Sequence, residues 1–249
     1  MNVIGIIPAR YGSTRFPGKP LTLIHGISMI RRVYERSSQA SRLSSVVVAT
    51  DDQRIYDHVE EFGGKVLMTS SSHESGTDRC AEALKLSEGN YDLVINIQGD
   101  EPYIHPGQID LLISCFENTD ALIGTLIKPI TDPADLENRN IPKVVKNLQG
   151  WALYFSRLAL PYCKPENLAS LLEKQNFYRH IGIYGYRASV LPELASLPQG
   201  MLETSESLEQ LRWLENGYRI MTAVSDHENI AVDTPSDVAL IEKRFSVSD

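Results

Sequence analysis

The chain has 249 residues, 42% of them hydrophobic, with 24 Lys and Arg against 32 Asp and Glu for a formal charge of −8 and a pI near 5.3. That length suits one large α/β domain or two small ones, and the composition supplies a real core. The acidic balance argues against nucleic acid or an anionic membrane as the main partner, since both want a basic face; an anionic small molecule stays open, because local clusters decide that.

Three cysteines (Cys80, Cys115, Cys163) lie far apart with no C-x-x-C. They read as thiols in a reducing compartment, not as a disulfide frame or zinc site. The opening MNVIGIIPAR has too short an apolar run for a signal segment. No apolar stretch approaches the roughly 18–20 residues of a membrane span. A soluble, cytosolic protein is the expectation.

In chain order, Val3–Ile7 is a buried strand and Met29–Gln39 carries apolar residues at helical spacing. Ser45–Thr50 (SVVVAT) is a second strand, followed by a helix that stops at Gly63-Gly64, where positive φ costs glycine little. Lys65–Met68 is a third strand, a helix opens near Thr77, and Leu93–Ile97 (LVINI) is a nearly all-apolar fourth strand. Such alternation means βαβ units and a parallel sheet. From about Thr131 the rhythm changes. KVVKNLQGWALYFSR reads as two strands around a turn at Gln149-Gly150, YRHIGIYGYR as another strand, and SESLEQLRWLENG as one helix closed by Gly217. The tail returns to strand and helix, with Ile230–Val232 as the strand. One domain with an excursion at about 131–200 is expected.

The stretch IIPARYGSTRFPGKPL follows the first strand with three cations, Arg10, Arg15 and Lys19. A P-loop needs G-x-x-x-x-G-K-[ST]. Here Gly12 to Gly18 holds one residue too many, and Pro20 stands where the hydroxyl belongs. No G-x-G-x-x-G follows a strand either. What remains is a stiff basic loop on the edge of an α/β sheet where ligands bind.

Gln98-Gly99-Asp100-Glu101-Pro102 leaves the LVINI strand on that same edge. Asp100 suits a magnesium ion, which takes one or two carboxylates plus phosphate oxygens, although G-D-E-P is also turn chemistry. In Val232-Asp233-Thr234-Pro235-Ser236-Asp237, Thr234 caps a helix with Pro235 at N1 and Asp237 near N3. Asp233 is left over, as a second metal ligand or an acidic residue favoured by the helix dipole. In His73-Glu74-Ser75-Gly76-Thr77-Asp78-Arg79, Ser75 or Thr77 caps a helix whose N-terminus, with Arg79, suits an anionic or carbonyl-bearing ligand.

PARYGSTRFPGKPL, HESGTDR, INIQGDEP, KVVKNLQGWALYFSR, RHIGIYGYR, LEQLRWLENG and VDTP occur in that order over about 230 residues. Together they resemble the bacterial CMP-Kdo synthetases, the 3-deoxy-manno-octulosonate cytidylyltransferases. The resemblance implies a nucleotide-diphospho-sugar transferase-like fold (Rossmann-like, with a mostly parallel mixed sheet) and a smaller dimerisation excursion that adds sugar contacts. It implies Mg²⁺-dependent transfer of CMP from CTP to Kdo, for lipopolysaccharide synthesis, by a homodimer. By resemblance, Asp100 and Asp233 hold the metal, and Arg10, Arg15 and Lys19 face the triphosphate, with Lys19 and Arg15 catalytic. Pro8, Ala9, Ser75, Gly76, Arg79 and Gln98 complete the CTP site. Gln98, Arg157, His180, Tyr184, Glu209 and Gln210 contact the sugar, Arg157 pairing with its carboxylate. The same reaction on the 8-amino analogue of Kdo or another acidic sugar stays open. A GT-A glycosyltransferase would carry Asp-x-Asp, which Gln98-Gly99-Asp100 is not. A non-catalytic nucleotide-binding module would lack some of Lys19, Asp100 and Asp233, and all three are present.

Overall fold

The computed structural model describes residues 1–12, 16–117, 119–164, 166, 168–174, 177–228 and 230–245. In chain order the elements are β1 (Val3–Ala9), a 3₁₀ turn over Lys19–Leu21, β2 (Leu23–Ile24), β3 (Ile27–Ser28), α1 (Met29–Ser37), β4 (Ser45–Thr50), α2 (Gln53–Glu61), β5 (Val66–Met68), α3 (Gly76–Leu86), β6 (Leu93–Asn96) and α4 (Pro106–Ser114). They continue as β7 (Ile123–Pro129), α5 (Pro133–Glu137), β8 (Lys143–Lys146), β9 (Ala152–Ser156), α6 (Leu168–Glu173), β10 (Tyr178–Arg187), α7 (Leu191–Ser196), α8 (Met201–Glu206), α9 (Gln210–Glu215), β11 (Ile220–Val224) and α10 (Pro235–Arg244). Two compact units form, one of Met1–Asp110, Arg187–Ala195 and Glu228–Asp249, the other of Leu111–Tyr186 and Ser196–His227.

The first unit is built on parallel pairing. β1 lies between β4 and β6, with Ile6 opposite Val47 on one side and Asn96 on the other, and β5 extends the sheet beyond β4. Val3, Ile4, Ile6, Ile7 and the LVI of β6 are buried, the run expected of strands covered on both faces. β1 continues two residues past the expected end, so Pro8 and Ala9 belong to the strand. Pro8 shares the parity of Ile6, whose carbonyl accepts from Ile97 N–H. Its missing N–H therefore falls just beyond the last β1–β6 pair, where no ladder bond is lost. Ile24, Met29, Tyr103, Val232 and Ile241 form an apolar cluster, and Phe245 stacks on Tyr103 at 4.0 Å. This cluster fixes α10 and the segment that leads into it.

That segment corrects one expectation. Ile230–Val232 is not a strand. Among the described residues its ladder-like bond is Val232 N–H to the Asp100 carbonyl, 2.9 Å, and the buried Val232 side chain anchors it instead.

The second unit is mixed. β7 pairs parallel with β11 and antiparallel with β10, while β8 pairs antiparallel with both β10 and β9. The β8–β9 turn falls at Gly150 (φ 92°), as the Gln149-Gly150 pair predicts. A second correction concerns SESLEQLRWLENG, which is not one helix. α8 ends where Ser207 takes a left-handed conformation (φ 52°), and α9 begins at Gln210 and closes at Gly217 (φ 83°). The guanidinium of Arg157 donates to the carbonyls of Glu206 and Ser207 at 2.7 and 3.2 Å. Those side-chain bonds stand in for the helical partners the break removes. Among the described residues no helix is long and apolar enough to cross a membrane.

Candidate active site

The C-terminal ends of β1 and β6 and the N-terminus of α3 border a cleft of about 270 Å³ in the first unit. Pro8, Ala9, Arg10, Lys19, Ser75, Gly76, Arg79, Gln98, Asp100 and Asp233, ten residues singled out from the sequence, all line it. Arg15 lies outside the described residues.

Local chemistry explains the convergence. The basic loop returns on itself through Gly18 N–H to the Tyr11 carbonyl, 2.9 Å. Gly18 holds φ 71°, and a Cβ there would meet the Tyr11 ring at 3.1 Å, so the turn requires glycine. The Arg54 guanidinium lies 3.3 Å over the same ring and pairs with Asp52, the N-cap of α2. The next residue starts the 3₁₀ turn and sends its ammonium back to the sheet edge. Lys19 Nζ lies 2.6 Å from Asp100 Oδ2, 2.9 Å from the Val232 carbonyl and 3.8 Å from Asp233 Oδ1. One cation thus gathers two carboxylates 133 positions apart in the chain.

Two backbone features bring those carboxylates there. A Cβ on Gly99 would stand 3.0 Å from the Pro8 carbonyl, tighter than side chains ordinarily pack, so the glycine lets β6 exit close against β1. Asp233 is held from behind: Asp237 accepts from the N–H groups of Asp233 and Thr234 at 2.9 and 2.7 Å, starting α10 with Pro235 at N1. Both aspartates keep exposure, 29% for Asp100 and 47% for Asp233, which leaves room for further oxygen ligands.

Ser75 is the cap of α3, in a reciprocal pair with Asp78 at 3.0 and 3.1 Å. The positive end of an 11-residue helix therefore borders the cleft beside the cations. Arg79 is buried and donates to Thr69 Oγ1, the Ser70 carbonyl and Asp51 Oδ2 at 2.7, 3.3 and 3.1 Å. Its guanidinium is thereby fixed in plane at the cleft wall. Glu82 accepts from Ser70 N–H and pairs with His73, and those two bonds hold its carboxyl below the usual range.

The sugar candidates other than Gln98 lie in the second unit. Arg157 donates to three backbone carbonyls, those of Glu206, Ser207 and Arg139. His180 on β10 bonds Thr125 Oγ1 at 2.9 Å, and its ring packs on Phe155 and Tyr184 at 5.2 and 5.3 Å between centroids. Trp213 stands edge-on to Tyr184 at 5.1 Å. Burial, with Tyr186 and Glu209 nearby, pushes the Tyr184 phenol well above its ordinary value, so it stays a donor at neutral pH. Glu209 is the N-cap of α9 and Gln210 its first residue. Tyr184 Oη, Gln210 Nε2 and Trp213 Nε1 are buried with no hydrogen-bond partner among the described residues. Gln210 and Trp213 are three apart on one helix, hence on one face. Buried donors left open in this way are what a hydroxyl-rich ligand satisfies.

A cytidylyltransferase family model matches residues 4–239. The chain is 54% identical over 243 residues to the 3-deoxy-manno-octulosonate cytidylyltransferase of Parabacteroides distasonis, covering 96% of each. It is 52% identical to that of Bacteroides thetaiotaomicron, covering 98% of each. The chain belongs to the 3-deoxy-manno-octulosonate cytidylyltransferase family. A solved CMP:2-keto-3-deoxy-manno-octonic acid synthetase complexed with CTP superposes with a TM-score of 0.89 at 42% identity over 98% of both chains.

The structure brings in residues that the motifs left without a role, three of them inside the motifs HESGTDR and LEQLRWLENG. His73 and Glu74 line the cleft, Asp51 fixes Arg79, and Trp213 joins the Tyr184 and Gln210 group. Asp51 had a legible signal, since it follows β4 on the ligand edge. Trp213 had one too, at helical spacing from Gln210. As to a metal, no group of three or more His, Cys, Asp or Glu gathers among the described residues. Two partly exposed carboxylates on this cleft fit Mg²⁺, which draws few ligands from protein and the rest from phosphate and water.

Proposed function

We propose that the protein transfers CMP from CTP to the anomeric hydroxyl of 3-deoxy-D-manno-octulosonate (Kdo), releasing pyrophosphate. The observation that carries this reading is Lys19 gathering Asp100 and Asp233 in a cleft bordered by Arg10 and the N-terminus of α3. The sugar hydroxyl attacks the α-phosphorus in line, its oxygen forms the new P–O bond, the bond to the β-phosphate oxygen breaks, and the hydroxyl proton leaves to solvent. Such transfer depends on positioning and charge neutralisation, not on a side-chain nucleophile. Lys19, Arg10 and Arg15 bind the β- and γ-phosphates and offset the charge of the departing pyrophosphate. Ser75, Gly76, Arg79 and the Pro8–Ala9 backbone hold the cytidine. Asp100 and Asp233 would hold Mg²⁺, which supplies charge neutralisation at the phosphates and acidifies a bound hydroxyl.

On the sugar side, Arg157 takes the carboxylate, and Gln98, His180, Tyr184, Glu209 and Gln210 take hydroxyls. Among these, the buried donors Tyr184 Oη and Gln210 Nε2 support the reading most directly. The proposal includes one cytidylyltransferase domain whose excursion at about 131–200 also forms a homodimer contact. Leu148, Leu153, Leu158 and Tyr162 are exposed there, and sedimentation of the full chain checks it.

The test is product identification. CTP, Kdo and Mg²⁺ should yield CMP-Kdo and pyrophosphate in equal amounts by mass spectrometry and phosphate assay, with little product from UTP. Equal or faster turnover of the 8-amino sugar would change the substrate. Absence of CTP-dependent product with any acidic sugar would overturn the reading.

A further inference from the structure

The pairing of β10 with β7 is irregular where the sugar candidates lie. Ile181 opposes Leu126, yet Tyr184 opposes Thr125, so β10 bulges between them. The bulge turns two carbonyls toward one hydroxyl. Thr125 Oγ1 lies 2.8 Å from the Ile183 carbonyl and 3.3 Å from that of Ile181, and the His180 Nε2 lies 2.9 Å from the same oxygen. Thr125 is fully buried.

The proton count decides the rest. A threonine hydroxyl has one proton to give and two lone pairs. Both carbonyls only accept, so the proton goes to them, and the nearer is Ile183. Toward the imidazole Thr125 then has only a lone pair to offer. The shared hydrogen between Thr125 and His180 must belong to Nε2. In a neutral ring this leaves Nδ1 without a proton. Burial pushes the imidazole down to about 3, which keeps the ring neutral in ordinary buffers. Among the described residues Nδ1 has no hydrogen-bond partner in the structure.

We propose that Thr125 is a positioning residue which fixes His180 as the Nε2–H tautomer, so that Nδ1 accepts a hydrogen bond from a sugar hydroxyl. The inference rests on the sugar-site reading above and adds a selectivity to it. A bare Nδ1 welcomes a hydroxyl donor and repels a carboxylate, so His180 faces the polyol part of the substrate and leaves the carboxylate to Arg157. Neither Phe155 nor Tyr184, which pack on the ring, offers an alternative acceptor for Nε2 at that distance.

The first measurement needs no variant. Imidazole ¹⁵N NMR of the full-length protein, with the His180 signal identified by its loss in His180→Gln, should show a protonated Nε2 and a bare Nδ1 at pH 7. An Nδ1–H tautomer or a doubly protonated ring overturns the proposal. The second compares Thr125→Val, which keeps the shape and loses the hydroxyl, with Thr125→Ser, which restores it. Thr125→Val should mix the tautomers and raise the KM for Kdo about tenfold, the worth of one ordinary hydrogen bond, with the KM for CTP unchanged. Thr125→Ser should return both readouts to within about twofold of wild type. If Ser is as impaired as Val, the residue is only structural and the proposal fails. If His180→Gln impairs Kdo binding while Thr125→Val does not, the proposal fails alone. If neither moves the KM for Kdo, the sugar-site reading fails and takes the proposal with it.

Discussion

Replacing Lys19 by Met tests the gathered carboxylates directly. In the wild type its ammonium lies 2.6 Å from Asp100, 2.9 Å from the Val232 carbonyl and 3.8 Å from Asp233. Lys19 is 17% exposed, Asp100 29% and Asp233 47%, so the group sits between the surface and buried limits. Exposed pairs contribute about 0.2–1 kcal/mol, and breaking a buried pair costs about 3–5 kcal/mol. Weighting toward the exposed limit for Asp233, the variant should lose about 1–2 kcal/mol. For a chain of this size that is a fall of about 3–6 °C in Tm. The loss should be largest in EDTA, because the variant leaves two carboxylates with no cation between them. Mg²⁺ should then stabilise Lys19→Met more than it stabilises the wild type, by the linkage between binding and folding. Turnover should fall about 100- to 1000-fold even when Mg²⁺ restores the fold, since in the proposed function Lys19 supplies charge to the phosphates. Thermal unfolding with and without Mg²⁺, beside pyrophosphate release, reads all three. A variant as stable as wild type in EDTA, or one that Mg²⁺ stabilises no further than wild type, would show that Lys19 does not hold the two carboxylates together.

Gly99→Ala places a Cβ 3.0 Å from the Pro8 carbonyl, a backbone atom that cannot swing aside. The β6 exit must shift, and we expect the KM for CTP to rise several-fold with only a modest fall in Tm; unchanged CTP kinetics would show that the close approach does not set the cleft. His180 makes a pH prediction with a definite sign. Burial pushes its imidazole down to about 3 in the folded protein, against roughly 6.5 when unfolded. Between those values the unfolded chain takes up a proton that the folded one refuses. This contribution is intact above about pH 6.5 and is lost as pH falls toward 3, by up to about 1.4 kcal/mol per unit. Urea unfolding at pH 5 and pH 7 should show less acid loss in His180→Gln than in wild type, and identical pH dependence would remove the linkage.

Much of the first unit was legible because its signals are local. SVVVAT and LVINI supply buried strands in a parallel sheet, Gly63 ends α2, and of the two cap candidates Ser75 and Thr77 it is Ser75 that caps α3. The sheet edge that carries the cleft followed from the strands, and with it the cleft's cations and carboxylates. What was hidden depends on contacts distant in sequence. Ile230–Val232 has the apolar run of a strand, but an apolar cluster around Tyr103 holds it in place of a ladder. β7, IGTLIKP, has Gly124 as its second residue, which weakens its strand pattern; a Cβ there would meet Phe116 at 3.0 Å. The break at Ser207 depends on Arg157, about 50 residues upstream, so no local pattern announces it. The tautomer of His180 depends likewise on Thr125, which only the bulged register brings to it.

In the proposed function the cleft holding Lys19, Asp100 and Asp233 turns over CTP with an acidic sugar. The most direct measurement is pyrophosphate release from CTP and Kdo in Mg²⁺ by the wild type beside the Asp100→Asn/Asp233→Asn double variant, with circular dichroism confirming that both are folded. The wild type should turn over, and the double variant should be slower by at least about 1000-fold, the scale of losing the charge stabilisation on a transferring phosphoryl group. A folded double variant that turns over at near the wild-type rate would contradict the account.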